Sequence, residues 1–401
     1  MKYLLTVFCV LMLFASCNND DTEDNIEPRI YPKAQRTVIV YISGENNLSS
    51  AAANNIKDMV TGSASIPNNT NLVAFVDVAD KSDPPYIIRI KDGAKTVDPY
   101  YNNTEDFYSS DPNRMYETIN WIMTRYPADS YGLVLWGHAD GWIIEKDSVA
   151  TTSTNKVMHR AYGIDTGDNT TNSYGKWMNI PSMATALERL PNKFKFIFAD
   201  CCCFQCAEVA YELRNTTEYI IGSPAEIPGY GADYDKVVPA MFDESDDFYR
   251  SIVDNYIADN SRYDVPLSVI KTSEMENLAQ ATAAAMRNIY SNGEPEFGSL
   301  VYYLYQNYGR VMFDINDFML LNSTDYSEWK VALDKAVVYK KMATRWMTNG
   351  YVSFGDFTMT EEKYGGMSMF VPRPIYDTYG QDWNWTISQM QWFYAVGMGN
   401  Y

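Results

Sequence analysis

The sequence has 401 residues, enough for two or three domains of about 150 residues each or for one large α/β unit with an appendage. Its 32 Lys and Arg residues against 51 Asp and Glu residues give a formal net charge of −19, which argues against nucleic acid as the main partner and favours a cationic substrate. Hydrophobic residues at 46% and charged residues at 21% are typical of globular proteins, which excludes a disordered chain and a protein with many membrane spans.

The first 16 residues have the features of a secretory signal peptide: one basic residue, an apolar run and a small-residue end directly before Cys17. The apolar run of about a dozen residues is shorter than the ~20 residues that a membrane-spanning helix needs. The stretch from Leu13 to Cys17 resembles a bacterial lipobox, which implies cleavage before Cys17 and a lipid on its thiol. Simple secretion is the alternative. We therefore expect a lipid-anchored protein of the bacterial cell envelope and leave exposure on the outer membrane open.

The remaining chain is predicted to divide into three parts. Residues 17–35 are acidic and have no apolar pattern, so we predict a flexible tether, for which a surface-export tract and a plain spacer both fit. Residues 36–240 are predicted to form an α/β core. Residues 241–401 are predicted to form a helix-rich region that completes or flanks the core.

Within the core, short apolar runs alternate with amphipathic segments, a pattern typical of a mainly parallel sheet covered by helices. The polar stretch from His138 to Ile180 is predicted to be a long exposed loop. The predicted strands are Val38–Ser43, Leu72–Ala79 with a hairpin-like run at Tyr86–Ile90, Gly132–Gly137, Phe194–Ala199, Tyr219–Ser223, Leu267–Lys271 and Met367–Val371. The predicted helices are 49–60, 114–125, 206–214, Asp246–Asn260, Met275–Asn292, Phe297–Tyr308 and Trp329–Thr348.

Four of the six cysteines lie within six residues, at positions 201, 202, 203 and 206. A disulfide framework needs cysteines spread along the chain, and a zinc site needs ligands from separate chain points, so this clustering argues against both. The cluster follows the strand Phe194–Ala199 and precedes a predicted helix. It therefore lies at the carboxyl edge of the sheet, where α/β proteins place active sites and a helix N-terminus favours a thiolate. We predict a cysteine nucleophile here.

A cysteine nucleophile needs a general base, usually histidine, and the chain has two histidines. His138 follows the strand Gly132–Gly137 at a carboxyl edge, so we predict that it faces the cysteine cluster from a neighbouring strand. A purely structural strand-end residue is the alternative for His138. His159 lies in the polar stretch and is predicted to be an ordinary solvated side chain.

Two motifs connect these residues to a known family. Trp136-Gly137-His138-Ala139-Asp140-Gly141-Trp142 looks like the pattern W-G-H-G-x-G-W, and Asp200-Cys201-Cys202 followed by Glu208-Val209-Ala210-Tyr211-Glu212-Leu213 looks like D-A-C followed by E-V-A-Y-E-L. In both motifs the sequence resembles the clostripain-like cysteine peptidases, which share the caspase-like fold. The resemblance covers about residues 36–240 well and the remainder loosely. It implies peptide-bond hydrolysis with Cys202 as the nucleophile and His138 as its partner.

The resemblance also implies an oxyanion hole formed by the backbone amides of Cys202 and Ala139. The family has glycine at the position of Ala139, so activity would be reduced here if the site required a positive φ. The family has alanine at the position of Cys201, whose thiol would be able to oxidise with Cys202. No cofactor is expected, and the sequence leaves a need for Ca²⁺ open.

Family members generally cleave after Arg or Lys, which implies peptide or protein substrates with basic residues and a carboxylate in the binding pocket. The candidate pocket acids are Asp200, Glu226, Asp233 and Asp235. The family implies self-cleavage between the histidine and the cysteine, for which Lys146, Lys156 and Arg160 are candidates. A catalytically inactive surface binding protein with the same fold is one alternative, and a redox or metal protein built on the cysteines is another. Membrane contact is expected only through the lipid anchor, and the oligomeric state is left open.

Overall fold

The computed structural model describes residues 30–80, 84–144, 161–172, 175–256, 265–303, 310–348, 354–373, 375–376 and 383–401. The predicted signal peptide, Cys17 and most of the predicted tether lie outside the described residues. So do His159 and the three candidate self-cleavage residues Lys146, Lys156 and Arg160. Within the described part of the chain, no helix has the length and apolar character needed to cross a membrane.

Strands and helices alternate through the first half of the chain, and helices are more frequent in the second. The described strands are β1 (Ala34–Gly44), β2 (Thr70–Val78), β3 (Tyr86–Lys91), β4 (Ala94–Val97), β5 (Ala128–Gly137), β6 (Tyr162–Asp165), β7 (Lys176–Met178), β8 (Phe194–Asp200), β9 (Thr217–Gly222), β10 (Leu267–Lys271), β11 (Phe313–Asp314), β12 (Val337–Lys341), β13 (Arg345–Met347), β14 (Phe354–Asp356) and β15 (Ser368–Met369). The described helices are α1 (Ser49–Gly62), α2 (Pro112–Arg125), α3 (Ile180–Glu188), α4 (Ala207–Glu212), α5 (Tyr234–Ala240), α6 (Tyr249–Asp254), α7 (Met275–Ser291), α8 (Ile315–Asn322), α9 (Tyr326–Ala336), α10 (Trp383–Ile387) and α11 (Gln391–Ala395).

Nine of the described strands form one sheet in the order β12-β10-β9-β8-β5-β1-β2-β3-β4. The five central strands, from β9 to β2, run parallel to one another. Antiparallel strands extend the sheet at both ends, with β10 and β12 on one side and β3 and β4 on the other. The predicted mainly parallel sheet is therefore confirmed, and the region after residue 240 contributes two strands to it.

Both faces of the central strands are buried. In β1, Ile39 and Tyr41 pack into one hydrophobic cluster, while Val38, Val40 and Ile42 pack into a second cluster on the opposite face. Helices α2, α3, α4 and α7 contribute to the first cluster, and α1, α5 and α6 contribute to the second. Successive side chains of a strand point to opposite faces, so a strand covered on both sides is a continuous apolar run. The helices thus enclose the sheet as predicted.

Helix α2 shows how the local sequence starts an element. The carboxylate of Asp111 accepts hydrogen bonds from the backbone N–H groups of Asn113 and Arg114 at 2.7 and 3.3 Å. Pro112 occupies the first helical turn, where its missing N–H leaves no acceptor unsatisfied. The helix therefore begins two residues before the predicted start at 114.

The prediction of one long exposed loop from His138 to Ile180 was wrong. Strands β6 and β7 lie within it and form an antiparallel pair. Tyr162 and Ile164 on β6 are buried, as are Trp177 and Met178 on β7. These apolar residues alternate with or adjoin polar ones, so the average polarity of the stretch concealed a short buried hairpin.

Two predicted helices of the second half were also wrong. In Trp329–Thr348 the helix α9 ends at Ala336, and the chain continues as the strands β12 and β13. The residues of β12 that follow Ala336 begin with the β-branched pair Val337 and Val338, and the exposed side of β10 offers them backbone partners. In Phe297–Tyr308 the described residues up to 303 contain no helix, and Tyr302 instead forms a β-bridge with Phe313.

Candidate active site

Two loops meet at the carboxyl edge of the adjacent parallel strands β5 and β8. Trp136 near the end of β5 is in register with Asp200 at the end of β8. His138 and Cys202 each lie two residues beyond these paired positions. Because neighbouring strands are ~4.8 Å apart, the topology brings the histidine loop and the cysteine loop side by side.

Two glycines allow the histidine loop to pack closely. Gly137 and Gly141 have φ values of 150° and 63°. A Cβ atom on Gly141 would lie 2.6 Å from the carbonyl oxygen of Cys203, and one on Gly137 would lie 2.8 Å from the carbonyl oxygen of Ser43. Any side chain at either position would therefore displace backbone atoms. The backbone of the histidine loop rests directly on that of the cysteine loop.

Cys202 is the partly exposed residue of the cluster, whereas the other three cysteines are buried. Its Sγ accepts a hydrogen bond from the backbone N–H of Ile227 at 3.4 Å. The pKa of the Cys202 thiol is raised, first by burial and second by the negative charge of Glu226, against the smaller opposite effect of the Ile227 N–H. The protonated thiol is therefore the favoured form, and a nucleophile at this position needs a base.

The helix after the cysteine cluster begins beyond Cys202. Helix α4 begins at Ala207 after its N-cap residue Cys206, and Cys202 precedes that N-cap by four residues. The amide that reaches the Cys202 sulfur comes from Ile227, in the loop after β9. The prediction of a stabilised thiolate was wrong, because burial and the charge of Glu226 raise the pKa of Cys202.

His138 has a partner that sequence reasoning missed. Its Nε2 lies 2.7 Å from Oδ1 of Asn47, a residue in the loop between β1 and α1. The oxygen of an amide side chain only accepts, so this contact makes Nε2 the donor, and a neutral imidazole then carries its lone pair on Nδ1. The indole ring of Trp177 lies 6.3 Å from the imidazole, centroid to centroid. Asn47 thus selects the tautomer and orientation of the ring.

The backbone amides at positions 139 and 202 fit the predicted oxyanion hole. Ala139 forms an antiparallel bridge with Tyr162 that uses the N–H groups of Asp140 and Gly163 and not its own. Among the described residues, nothing accepts a hydrogen bond from the N–H of Ala139 or of Cys202. Outside secondary structure such amides need a partner, so both are suited to bind a negative oxygen.

The alanine at position 139 causes no backbone strain. In the described chain, the residues other than glycine with positive φ are Asp92, Asn169 and Cys203. Ala139 is therefore in an ordinary conformation, and its buried side chain belongs to the hydrophobic core. Position 139 does not require a positive φ. The loss of the family's glycine is therefore not expected to reduce activity for that reason.

Asp200 is engaged by other parts of the protein through both of its carboxylate oxygens. Its carboxylate accepts hydrogen bonds from the Ala232 N–H at 3.1 Å, from the Tyr234 hydroxyl at 2.7 Å and from the Tyr256 hydroxyl at 2.8 Å. Only 3% of the residue is exposed, and burial raises its pKa against the effect of these donors. Both carboxylate oxygens already accept hydrogen bonds from the protein, so Asp200 anchors the loop after β9 and is not assigned to substrate binding.

The other three candidate acids lie in that loop and in α5. Glu226 is buried, forms a β-bridge with Met347 and exerts the largest charge effect on the Cys202 thiol. Asp233 precedes α5 and forms an ion pair with Lys236 at 3.4 Å. Asp235, in the first turn of α5, is exposed. Of the four acids, Glu226 is the one that the structure brings to the thiol.

The chain is similar to proteins of known family and structure. The model of the Clostripain family matches residues 40–392. Clostripain from Hathewaya histolytica is 25% identical over 225 residues, which span 50% of this chain and 41% of that protein. A secreted C11 cysteine protease from Bacteroides thetaiotaomicron, solved in complex with an irreversible peptide inhibitor, matches with a TM-score of 0.73 and 28% identity over 92% of this chain and 100% of its own. An inactive zymogen C11 protease from Parabacteroides distasonis matches with a TM-score of 0.72 and 26% identity, over 92% and 99%.

The central parallel sheet, its helical layers and these structural similarities define a caspase-like α/β protein. The family match covers most of the sequence. The chain belongs to the clostripain family.

Proposed function

We propose that the protein is a cysteine endopeptidase that uses Cys202 as its nucleophile and His138 as its general base and acid, and that it cleaves after Arg or Lys. One observation carries the proposal: a partly exposed cysteine and an oriented imidazole lie on contacting loops, with two backbone amides on the same loops that have no acceptor in the described chain. This combination supplies a nucleophile, a base and an oxyanion hole at one edge of a sheet.

In the first half of the reaction, the Cys202 thiol gives its proton to Nδ1 of His138 and the sulfur attacks the carbonyl carbon of the scissile bond. Because the pKa of Cys202 is raised, the thiol is protonated in the resting enzyme. The thiolate forms only as its proton moves to the imidazole. The N–H groups of Ala139 and Cys202 donate to the oxyanion, a type of contact worth ~2.7–4 kcal/mol per donor.

In the second half, His138 returns the proton to the leaving amine, which departs and leaves an acyl group on the Cys202 sulfur. The neutral imidazole then takes a proton from water, and the resulting hydroxide attacks the thioester carbonyl. The acid is released as the sulfur regains its proton. Asn47 keeps the same imidazole nitrogen pointed at the reaction throughout, because Nε2 stays engaged with its side-chain oxygen.

The preference for basic residues is assigned to Glu226. Its carboxylate is buried next to the nucleophile, and the strongly acidic chain as a whole attracts cationic peptides. A buried carboxylate gains most from a cationic side chain, since a guanidinium or ammonium group restores the interactions that burial removed. Asp200 supports this assignment only indirectly, by holding the loop that carries Glu226.

Fluorogenic peptides that end in Arg, Lys or a neutral residue provide the direct test. We expect kcat/KM to be highest for Arg and Lys. Glu226→Gln is expected to lower kcat/KM for the Arg peptide by about 10- to 100-fold, as expected for the loss of one charge-assisted contact of ~1.5–3 kcal/mol, with a smaller effect on the neutral peptide.

Asp235→Asn is the matched control, because Asp235 is an exposed acid of the neighbouring helix α5 and its loss should leave the Arg preference intact. If Glu226→Gln lowered kcat/KM equally for the Arg and the neutral peptide, Glu226 would have a structural role in the loop and would not bind the basic side chain of the substrate.

The contact between Asn47 and His138 gives a second prediction. Asn47→Ala should lower kcat by about 10- to 100-fold with little change in KM, because a lost orienting hydrogen bond of ~1–3 kcal/mol affects the reacting ring and not the bound peptide. Asn47→Asp keeps an oxygen acceptor and should retain more of the rate than Asn47→Ala. If the two variants were equally active, the tautomer would not depend on this contact.

A further inference from the structure

A cavity of about 380 Å³ lies where the hairpin of β3 and β4 meets the starts of β1 and β5. It is lined by Tyr31 before β1, by Tyr126 before β5 and by residues of the hairpin between positions 89 and 99. Because β1 and β5 begin here, the cavity lies at the amino edge of the parallel strands. His138 and Cys202 lie at the carboxyl edge, at the other end of the same strands.

One wall of the cavity carries a guanidinium group without an acceptor. The Cζ atom of Arg89 lies 4.8 Å from the centroid of the Tyr31 ring, which itself stacks on Tyr126 at 4.6 Å. The Nε atom of Arg89 is buried and has no hydrogen-bond partner among the described residues. A guanidinium group pairs with a carboxylate through two parallel N–H···O bonds, so a buried Nε without an acceptor favours a carboxylate ligand.

The cavity has an excess of positive charge in a strongly acidic protein. Lys91 lies on the same face of β3 as Arg89, and its ammonium group donates to a backbone carbonyl oxygen at 2.7 Å. In the described chain, neither residue forms an ion pair with an acid. Two acids line the cavity, Asp92 and Asp98, and Asp98 already accepts from Nε of Arg125 at 2.5 Å. One positive charge therefore remains uncompensated.

The cavity opens beside an unpaired sheet edge. Strand β4 is the last strand of the nine-stranded sheet, and all four of its residues are exposed. Three of them, Ala94, Thr96 and Val97, line the cavity. The outer edge of such a strand offers backbone N–H and C=O groups to an extended segment. A peptide segment with carboxylates would thus find both charged and backbone partners at one place.

The acidic part of the predicted tether joins the described chain at this cavity. The described residues begin at Ile30, next to Tyr31 of the cavity wall. Residues 20–27, here called the acidic segment, contain five acids and no base: Asp20, Asp21, Glu23, Asp24 and Glu27. Glu27 is four residues before Tyr31, so the chain between them spans at most ~14 Å when fully extended. Its carboxylate is therefore within reach of the cavity.

We propose that the cavity binds the acidic segment of the same chain, with the Glu27 carboxylate on the Arg89 guanidinium and the segment along the outer edge of β4. The carboxylates supply the acceptor that Arg89 lacks and the negative charge that the cavity lacks. Attachment at Tyr31 gives the segment a local concentration of roughly millimolar, so ion pairs that would be weak between separate molecules suffice.

Docking at this position would orient the enzyme on its anchor. The lipid is predicted on Cys17, which precedes the acidic segment by three residues. A docked segment would hold the amino edge of the sheet toward the anchor, and the carboxyl edge with Cys202 would face away from it. Binding of the segment does not depend on the proposed peptidase activity.

Hydrogen exchange followed by mass spectrometry on the full-length Cys202→Ala protein tests the docking without any catalytic step. We expect the backbone amides of β4 and of residues 20–29 to exchange at least about threefold more slowly at low ionic strength than in 1 M NaCl, because salt screens ion pairs. Arg89→Glu should remove this protection. The double variant that combines Arg89→Glu with Glu27→Arg should restore it, because the ion pair forms again with reversed charges.

Lys95→Glu is the matched control, because it makes the same change of charge on the other face of β4. Lys95 alternates with Ala94 and Thr96, which line the cavity, so its loss should leave the protection unchanged. The unfolding temperature of each variant shows whether it is folded. Lys91→Glu, which should weaken the protection, replaces Arg89→Glu if the latter does not fold.

Four results would overturn the proposal. The first is protection that persists in both Arg89→Glu and Lys91→Glu, and the second is its loss in Lys95→Glu. The third is a double variant that restores no protection. The fourth is continued protection of β4 when every acid of the acidic segment is changed to Asn or Gln, which would indicate another ligand. Protection that increases with protein concentration would indicate the segment of a second copy and would also contradict docking within one chain.

Discussion

Cys202→Ala is expected to reduce kcat/KM by a factor on the order of 10⁴ to 10⁶, because the covalent step has no other nucleophile. The remaining thiols of the cluster are buried, so none of them is placed to replace it. The variant should stay folded, since alanine keeps the Cβ atom and the change removes one sulfur from a partly exposed residue. The measurement is turnover of an Arg fluorogenic peptide, together with the unfolding temperature.

Cys201→Ala is the matched control, because it removes a neighbouring thiol and introduces the residue that the family usually has at that position. We expect its kcat/KM to stay within about threefold of the wild type. Electrophoresis of the same samples tests self-cleavage: the wild type should be cut after Lys146, Lys156 or Arg160, and Cys202→Ala should remain intact. Identical fragments from both proteins would exclude self-cleavage, and substantial turnover by Cys202→Ala would exclude the assigned nucleophile.

His138→Ala is expected to lower kcat/KM by about 10³- to 10⁴-fold and to change its dependence on pH. The pKa of the Cys202 thiol is raised by burial and by Glu226, so without a base the sulfur becomes a thiolate only in alkaline solution. Residual activity and the rate of Cys202 alkylation should therefore rise steadily with pH in the variant. In the wild type, the imidazole should support both near neutral pH.

The other histidine provides the control. His159→Ala should retain the wild-type rate and pH profile, since His159 is predicted to be an ordinary solvated side chain. If His138→Ala and wild type showed the same pH dependence of alkylation, the imidazole would not share a proton with Cys202. The clostripain-like fold would then support a binding protein in place of an enzyme.

The sequence was informative where one local pattern decided the structure. The runs around Ile39, Leu133 and Ile197 are apolar without interruption, and each forms a central strand because helices cover both faces. Residues 337–341 were predicted to be helical because their apolar spacing continues that of α9. They form a strand because they pair with β10, which lies some 70 residues earlier in the chain. Propensity alone does not reveal that such a partner exists.

In the candidate site, the sequence predicted the residues with a strong local signal and did not predict those that depend on contacts between distant segments. His138 and the cysteine group follow apolar strands, and the rule that active sites lie at carboxyl edges predicts both at the edge where β5 and β8 are adjacent. Asn47 follows β1 at the same edge, but asparagine is common in turns and gives no comparable signal.

A break in the chain between Ile144 and Ala161 would not release either half of the molecule. The strands from β1 to β5 precede the break and β8 follows it, yet β5 and β8 pair from Gly132 opposite Phe196 to Trp136 opposite Asp200. The two fragments would persist as a non-covalent heterodimer, with the imidazole on one polypeptide and the thiol on the other. Neither fragment alone would carry both the imidazole and the thiol. Cutting alone would preserve the site, whereas denaturation after cutting would separate the two fragments and destroy it.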